Sequence, residues 1–130
     1  MATRYQTKAP PDSPAPQITE SDGQAEELLA AVRRLGPLIR EHAAAAERER
    51  RLSRDVMQAL AEAGLFRLLL PRSLGGLEVD PVTCSRIVEE VARYDSAAGW
   101  ALQAGNEGGW WAARLPEEGS SEIYGNNPSA

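Results

Sequence analysis

An all-α fold is what this 130-residue sequence predicts: several helices behind a disordered N-terminal leader. Three observations point to it. Apolar positions at Leu28, Val32, Leu35, Ile39, His42 and Ala46 step by four, three, four, three and four, which holds them on one helical stripe. Ser53, and Asp80 followed by Pro81, stand where helix caps belong. Gly64 closes the short apolar pattern that Ser53 opens.

Residues 1–21 hold Pro, Ser, Thr and Gln with few large apolar side chains, so they cannot bury enough surface to offset the entropy of ordering and read as a disordered leader. Asp22 is the expected N-cap of the first helix. Gly36-Pro37 interrupts that helix, since proline lacks an N–H and crowds the preceding turn, and a kink is expected there. His42 lies on the apolar stripe and reads as a packed core residue, not a ligand.

Between Glu41 and Asp55 charges alternate, with Glu47 and Arg51 four apart in the favourable order. This reads as a solvated helix face; an anion-binding role for Arg48, Arg50, Arg51 and Arg54 is the sharper alternative, weakened by the neighbouring acids. Ser53 caps a second helix, Arg54 to Ala63, packed through Val56, Met57 and Leu60. Leu65 to Leu70 is too short for a helix of its own and ends at Pro71, which predicts buried extended chain. Gly75-Gly76 marks a turn. The helix led by Asp80-Pro81 carries Cys84, Ile87, Val88 and Val91 on an apolar face to about Tyr94, so Cys84 reads as a buried, inert thiol. Glu89 and Glu90 are adjacent and point in different directions, so they do not form a paired acid.

Five of the seven aromatic residues fall between Tyr94 and Tyr124, among Gly99, Gly105, Gly108 and Gly109. A helix from Ser96 to Arg114 places Trp100, Ala104, Gly108 and Trp111 on one stripe and Leu102, Gly105, Gly109 and Ala113 on another. Interior glycines cost about 1 kcal/mol each relative to alanine, so something must approach this backbone closely, either a neighbouring helix or a flat ligand. A last short helix starts at Leu115-Pro116-Glu117-Glu118 and ends at Gly125, with Ile123 and Tyr124 packing back.

Composition removes whole classes of function. The chain is 42% hydrophobic and 25% charged, with a net charge of −5, and lacks the basic stripe that drives nucleic-acid affinity. No apolar run approaches the roughly 20 residues that span a bilayer, and the first 16 residues carry four prolines where a signal peptide has an apolar core. A cytoplasmic protein without nucleic-acid or membrane partners is expected. One cysteine and one histidine exclude an internal disulfide and a Cys- or His-based metal site.

The run AEAGLFRLLLPRSLGGLEVDPVTCSRIVEEVARYDSAAGW, then Leu115-Pro116 and Glu122-Ile123-Tyr124-Gly125, resembles the N-terminal helical domain of the acyl-CoA dehydrogenase superfamily over about residues 24–128. The order of Gly64-Leu65, Leu70-Pro71, Gly75-Gly76-Leu77, Val88-Glu89-Glu90 and Asp95-Ser96 carries the resemblance. Ser96 to Trp100 and the Trp110 region look most like the branch that includes flavin-dependent monooxygenases, which hydroxylate phenols with reduced flavin from a partner reductase.

The resemblance implies a domain over residues 22–125, with 126–130 beginning a linker to a middle β-domain that this chain does not include, so that the chain reads as truncated. It implies an FAD-dependent oxidoreductase acting on CH–CH groups of a small-molecule substrate, acyl-CoA or related, and a homo-oligomer when complete. In that setting this domain forms one wall of the substrate and flavin cavity, with Trp100, Ala104 and Gly108 lining it and no catalytic residue of its own. Phenol-hydroxylating relatives carry a histidine eight residues beyond the tryptophan matching Trp100. Gly108 stands there instead, which favours the dehydrogenase over the two-component monooxygenase. A free-standing helical interaction module is the non-catalytic alternative.

Overall fold

The computed structural model describes residues 20–127. The leader expected over 1–21 lies outside them except for its last two residues, which belong to the first helix. Helix α1 (Glu20–Glu49) is a single helix of 30 residues. It begins two residues before Asp22, so Asp22 is not the cap. It stands in the first turn, where an acidic side chain suits the positive end of the helix dipole. Leu28, Val32, Ile39 and Ala46 of the stripe are buried, and His42 is half-buried.

Pro37 is accommodated inside α1, which does not divide into two helices. At Gly36 the missing side chain makes room for a neighbour: a Cβ there would overlap the Tyr94 ring. The Tyr94 ring thus lies on the α1 backbone beside the proline, with the Arg40 guanidinium 5.1 Å from its centroid.

The helix ends at Glu49, and Arg50 takes a left-handed φ of 53°. That reversal carries Arg51 off the helix, and among the described residues the expected Glu47–Arg51 pair does not form. Ser53 then accepts the Val56 N–H at 3.2 Å and opens α2 (Arg54–Glu62). Val56 and Leu60 are buried, whereas Met57 is 38% exposed and does not pack as expected. Gly64 follows the helix with φ of 76°.

Leu65 to Leu70 departs from the extended form predicted for it. Leu65–Arg67 is a 3₁₀ turn and Leu68 is right-handed helical (φ −60°, ψ −48°). Burial is as expected, with Leu65, Leu68 and Leu70 fully inside. An extended chain would turn alternate side chains outward; the compact turn keeps the spaced leucines on one side. A second 3₁₀ turn, Arg72–Leu74, ends at Gly75 with φ of 83° and sends the chain back. The returning strand of chain is tied on by Leu77 N–H to Arg67 O (2.9 Å) and Val79 N–H to Leu68 O (2.8 Å). Gly76 permits this contact, since a Cβ there would overlap the Leu70 carbonyl.

Asp80 caps α3 (Pro81–Ala92), accepting the Val82 and Thr83 N–H groups at 3.0 Å each. The Thr83 hydroxyl also donates to it, and these bonds hold its carboxyl below its ordinary pKa. α3 packs against both α1 and α4 (Ser96–Ala112). Cys84, Ile87 and Val91 enter the main core with Val32, Ile39, Leu60, Leu65 and Leu102. Helix α4 stops at Ala112, two residues before the expected Arg114. α5 (Glu117–Tyr124) closes a small second core of Leu70, Ala112 and Tyr124; Ile123, expected to pack back, is 51% exposed. Among the described residues there is no strand, and no helix is long and apolar enough to cross a membrane.

Candidate functional site

Helix α4 is positioned by its cap and by one buried side. Asp95 accepts the Ala97 and Ala98 N–H groups at 3.1 and 3.3 Å, which satisfies the start of the helix. Ala98, Leu102, Asn106, Gly109 and Ala112 are buried. The close approach that the glycines demand is supplied by the protein itself. A Cβ on Gly99 would lie 2.6 Å from Ala92 Cβ, one on Gly105 2.7 Å from the Phe66 ring, and one on Gly109 3.2 Å from Leu70 N.

Asn106, fully buried, fastens this seam. Its Oδ1 accepts the Leu68 N–H at 2.8 Å, while Nδ2 donates to Leu65 O at 2.8 Å and to Leu102 O at 3.0 Å. One amide therefore satisfies backbone groups of the 3₁₀ segment, which has no helix or sheet ladder to satisfy them. The sequence reading missed it, although a polar residue four after Leu102 and three before Gly109 on the inward face was a usable signal.

The other side of α4 is open. Trp100 is 74% exposed and Trp111 62%. Ala104 between them is exposed, and Gly108 is half-buried, with Tyr124 Oη 3.2 Å from where its Cβ would be. The three residues expected to line a cavity thus share one face, and Trp111 joins them. Arg114 stacks beside it, its Cζ 4.8 Å from the Trp110 ring and 5.8 Å from the Trp111 ring. On the same side Glu107 accepts from Gln103 Nε2 at 3.1 Å. Exposed indoles flanking a strip with almost no side chain form a surface that a flat apolar group can lie against.

Chemically active groups lie elsewhere. Cys84 is buried on α3, and burial, assisted by the nearby Asp80 carboxylate, raises its thiol to a pKa of about 11. It is the inert thiol expected. Glu89 and Glu90 diverge: Glu89 pairs with Arg93 at 2.9 Å, and Glu90 reaches Arg33 on α1 at 3.3 Å. Among the described residues no group of His, Cys, Asp and Glu could hold a metal ion. All four of Arg48, Arg50, Arg51 and Arg54 are exposed, and of these Arg50 and Arg51 border a cavity against the first turns of α4.

Comparison with known proteins accords with this architecture. Residues 22–122 match the model of the acyl-CoA dehydrogenase N-terminal domain. Indole-3-acetate monooxygenase of Pseudomonas putida is 40% identical over 82 residues, 63% of this chain and 21% of that protein. The flavin-dependent monooxygenase oxygenase subunit HsaA of Mycobacterium tuberculosis is 33% identical over 105 residues, 81% of this chain and 27% of that protein. Among solved structures, XiaF from Streptomyces sp. in complex with FADH2 and glycerol superposes with a TM-score of 0.82 at 30% identity, over 85% of this chain and 28% of that one. The chain spans about a quarter of the length of these relatives.

Proposed function

Because the chain belongs to the family of acyl-CoA dehydrogenase N-terminal domains, we propose that it supplies one wall of the substrate cavity of a flavin-dependent oxidoreductase. The observation that carries this reading is the division of α4 between a side filled by its own protein and a side left open at Trp100, Ala104, Gly108 and Trp111. Here these residues bind and orient: the indoles offer flat apolar contact, and the strip at Ala104 and Gly108 lets a planar group approach the helix. None of Trp100, Ala104 and Gly108 can exchange a proton at neutral pH, so the wall shapes binding without acting as acid or base.

The open face fits a planar ring, and FAD is the cofactor we assign to the complete enzyme. When bound, flavin supplies the redox step, either by accepting hydride or by activating oxygen in its reduced form. The relatives' names, a monooxygenase of indole-3-acetate and the oxygenase subunit of a flavin-dependent monooxygenase, favour flavin-dependent monooxygenation of a small molecule. The second reading, oxidation of a CH–CH group of an acyl-CoA or related substrate, is favoured by Gly108, which offers no hydrogen-bonding side chain at this wall. A cytoplasmic homo-oligomer belongs to either reading.

The experiment is to read the coding sequence beyond Ala130 and assay the encoded product. An oxygenase consumes oxygen with a phenolic substrate when reductase and NADH are supplied; a dehydrogenase bleaches an electron-accepting dye with an acyl-CoA in the absence of oxygen. Trp100→Ala in that product is expected to raise KM with kcat less affected. A stop codon after Ala130, with no flavin bound by the 130-residue chain, overturns both readings and leaves a helical interaction module.

A further inference from the structure

The turn that ends α1 meets the first two turns of α4 around a cavity of about 420 Å³, within the size range of small-molecule sites. Its apolar lining comes from Ala46 and Leu52 on one side and Ala97 and Ala101 on the other. Arg50, Arg51 and Glu47 supply its charged groups, giving a net positive rim on a chain whose overall charge is −5. Among the described residues neither guanidinium has a hydrogen-bond or ion-pair partner, whereas Arg33, Arg86 and Arg93 are each engaged by a glutamate. Arg50 also holds a left-handed backbone (φ 53°), a conformation that glycine adopts at far less cost. The α4 N-terminus is already occupied by Asp95, so among the described residues the cationic groups that meet an anion here are the two arginines.

We propose that this cavity binds a small anionic amphiphile, its carboxylate held by Arg50 and Arg51 and its apolar part laid against Ala46, Leu52, Ala97 and Ala101. Charge complementarity selects the head and the small aliphatic lining selects the tail. The proposal does not rest on the flavin reading, and the lining residues named all lie within the described chain. Ala97 and Ala101 continue, at helical spacing, into Ala104 and Gly108, so a longer tail would run from this cavity onto the open face of α4.

The test is titration of the 130-residue chain with octanoate, followed by amide shifts in a ¹H–¹⁵N NMR spectrum, with octan-1-ol as the uncharged control. Octanoate is expected to shift Ala46, Leu52, Ala97 and Ala101 and to bind at least tenfold more tightly than octanol. Arg51→Gln is expected to weaken octanoate about tenfold and leave octanol unchanged. Arg50→Gly is the decisive variant, because it removes the guanidinium while relieving the backbone: octanoate binding falls as for Arg51→Gln, and the melting temperature stays or rises. Equal affinity for octanol and octanoate, shifts confined to Trp100 through Trp111, or full octanoate affinity in Arg50→Gly overturns the proposal.

Discussion

Along the buried side of α4, Gly99, Gly105 and Gly109 each face a neighbour that a methyl group would strike, namely Ala92, Phe66 and Leu70. Along the open side, Ala104 and Gly108 lie between Trp100 and Trp111, and among the described residues the approach to Gly108 is the far end of a tyrosine side chain. The same small residues therefore have two meanings in one helix. Inward, they let α3 and the Leu65–Leu70 segment reach the backbone, and stability depends on them. Outward, they leave room that the described chain does not fill, and binding depends on them.

The largest effect is expected at Asn106. Replacing it with alanine strands the Leu68 N–H and the Leu65 carbonyl inside the core, and each buried unsatisfied group costs about 1–3 kcal/mol. A loss of about 3–5 kcal/mol is expected, read as a lower urea midpoint with an unchanged slope. A variant within about 0.5 kcal/mol of the parent would show that water replaces the amide and that the seam is not closed.

Next comes the pH dependence of the core at Cys84. Its pKa rises on folding from 9.0 to about 11, so the folded state favours the neutral thiol. That contribution is fully present below pH 9 and is lost as pH rises through 11, a decline of about 2–3 kcal/mol at about 1.4 kcal/mol per unit. Urea midpoints between pH 8 and 11 measure it, and Cys84→Ala should remove this part of the slope. An unchanged slope in Cys84→Ala would place the alkaline loss elsewhere.

Gly99→Ala is expected to cost about 1–3 kcal/mol, since the added carbon meets the Ala92 backbone as well as its Cβ and α3 and α4 must part. Thermal unfolding reads it as a lowered Tm. An unchanged Tm would mean that the α3–α4 seam is loose enough to absorb a methyl group.

How much of this division the sequence carried differs between the faces. Periodicity predicted α1 through Leu28, Val32 and Ile39, and caps predicted α2 and α3, because those signals are local and the side chains that make them bond within four residues. The two stripes of α4 were also legible, as was the inertness of Cys84. What the glycines were for was not, since Ala92, Phe66 and Leu70 approach from other elements and spacing along one helix does not say what faces it. Leu65 to Leu70 was misread for the same reason: Asn106, about 40 residues away in sequence, supplies the bonds that allow a turn where extended chain was expected. Met57 and Ile123 sit at plausible apolar positions, yet α2 and α5 are short and bury only one narrow side each.

The smallest effect on stability is expected at Gly108, and it is the one that sharpens the comparison most. Among the described residues a Cβ there meets Tyr124 Oη at 3.2 Å, the tip of a side chain that can shift by a few tenths of an ångström. Alanine gains about 1 kcal/mol of helix propensity over glycine, which offsets that contact, so Gly108→Ala is expected to leave the Tm unchanged or slightly raised. Gly99→Ala and Gly108→Ala thus add the same methyl group to the same helix with opposite signs. If both destabilise alike, α4 dislikes side chains on either side and the open face is not held ready for a ligand. If only Gly99→Ala does, the fold does not need a glycine at 108, and the gap it leaves between the exposed Trp100 and Trp111 remains open to a ligand.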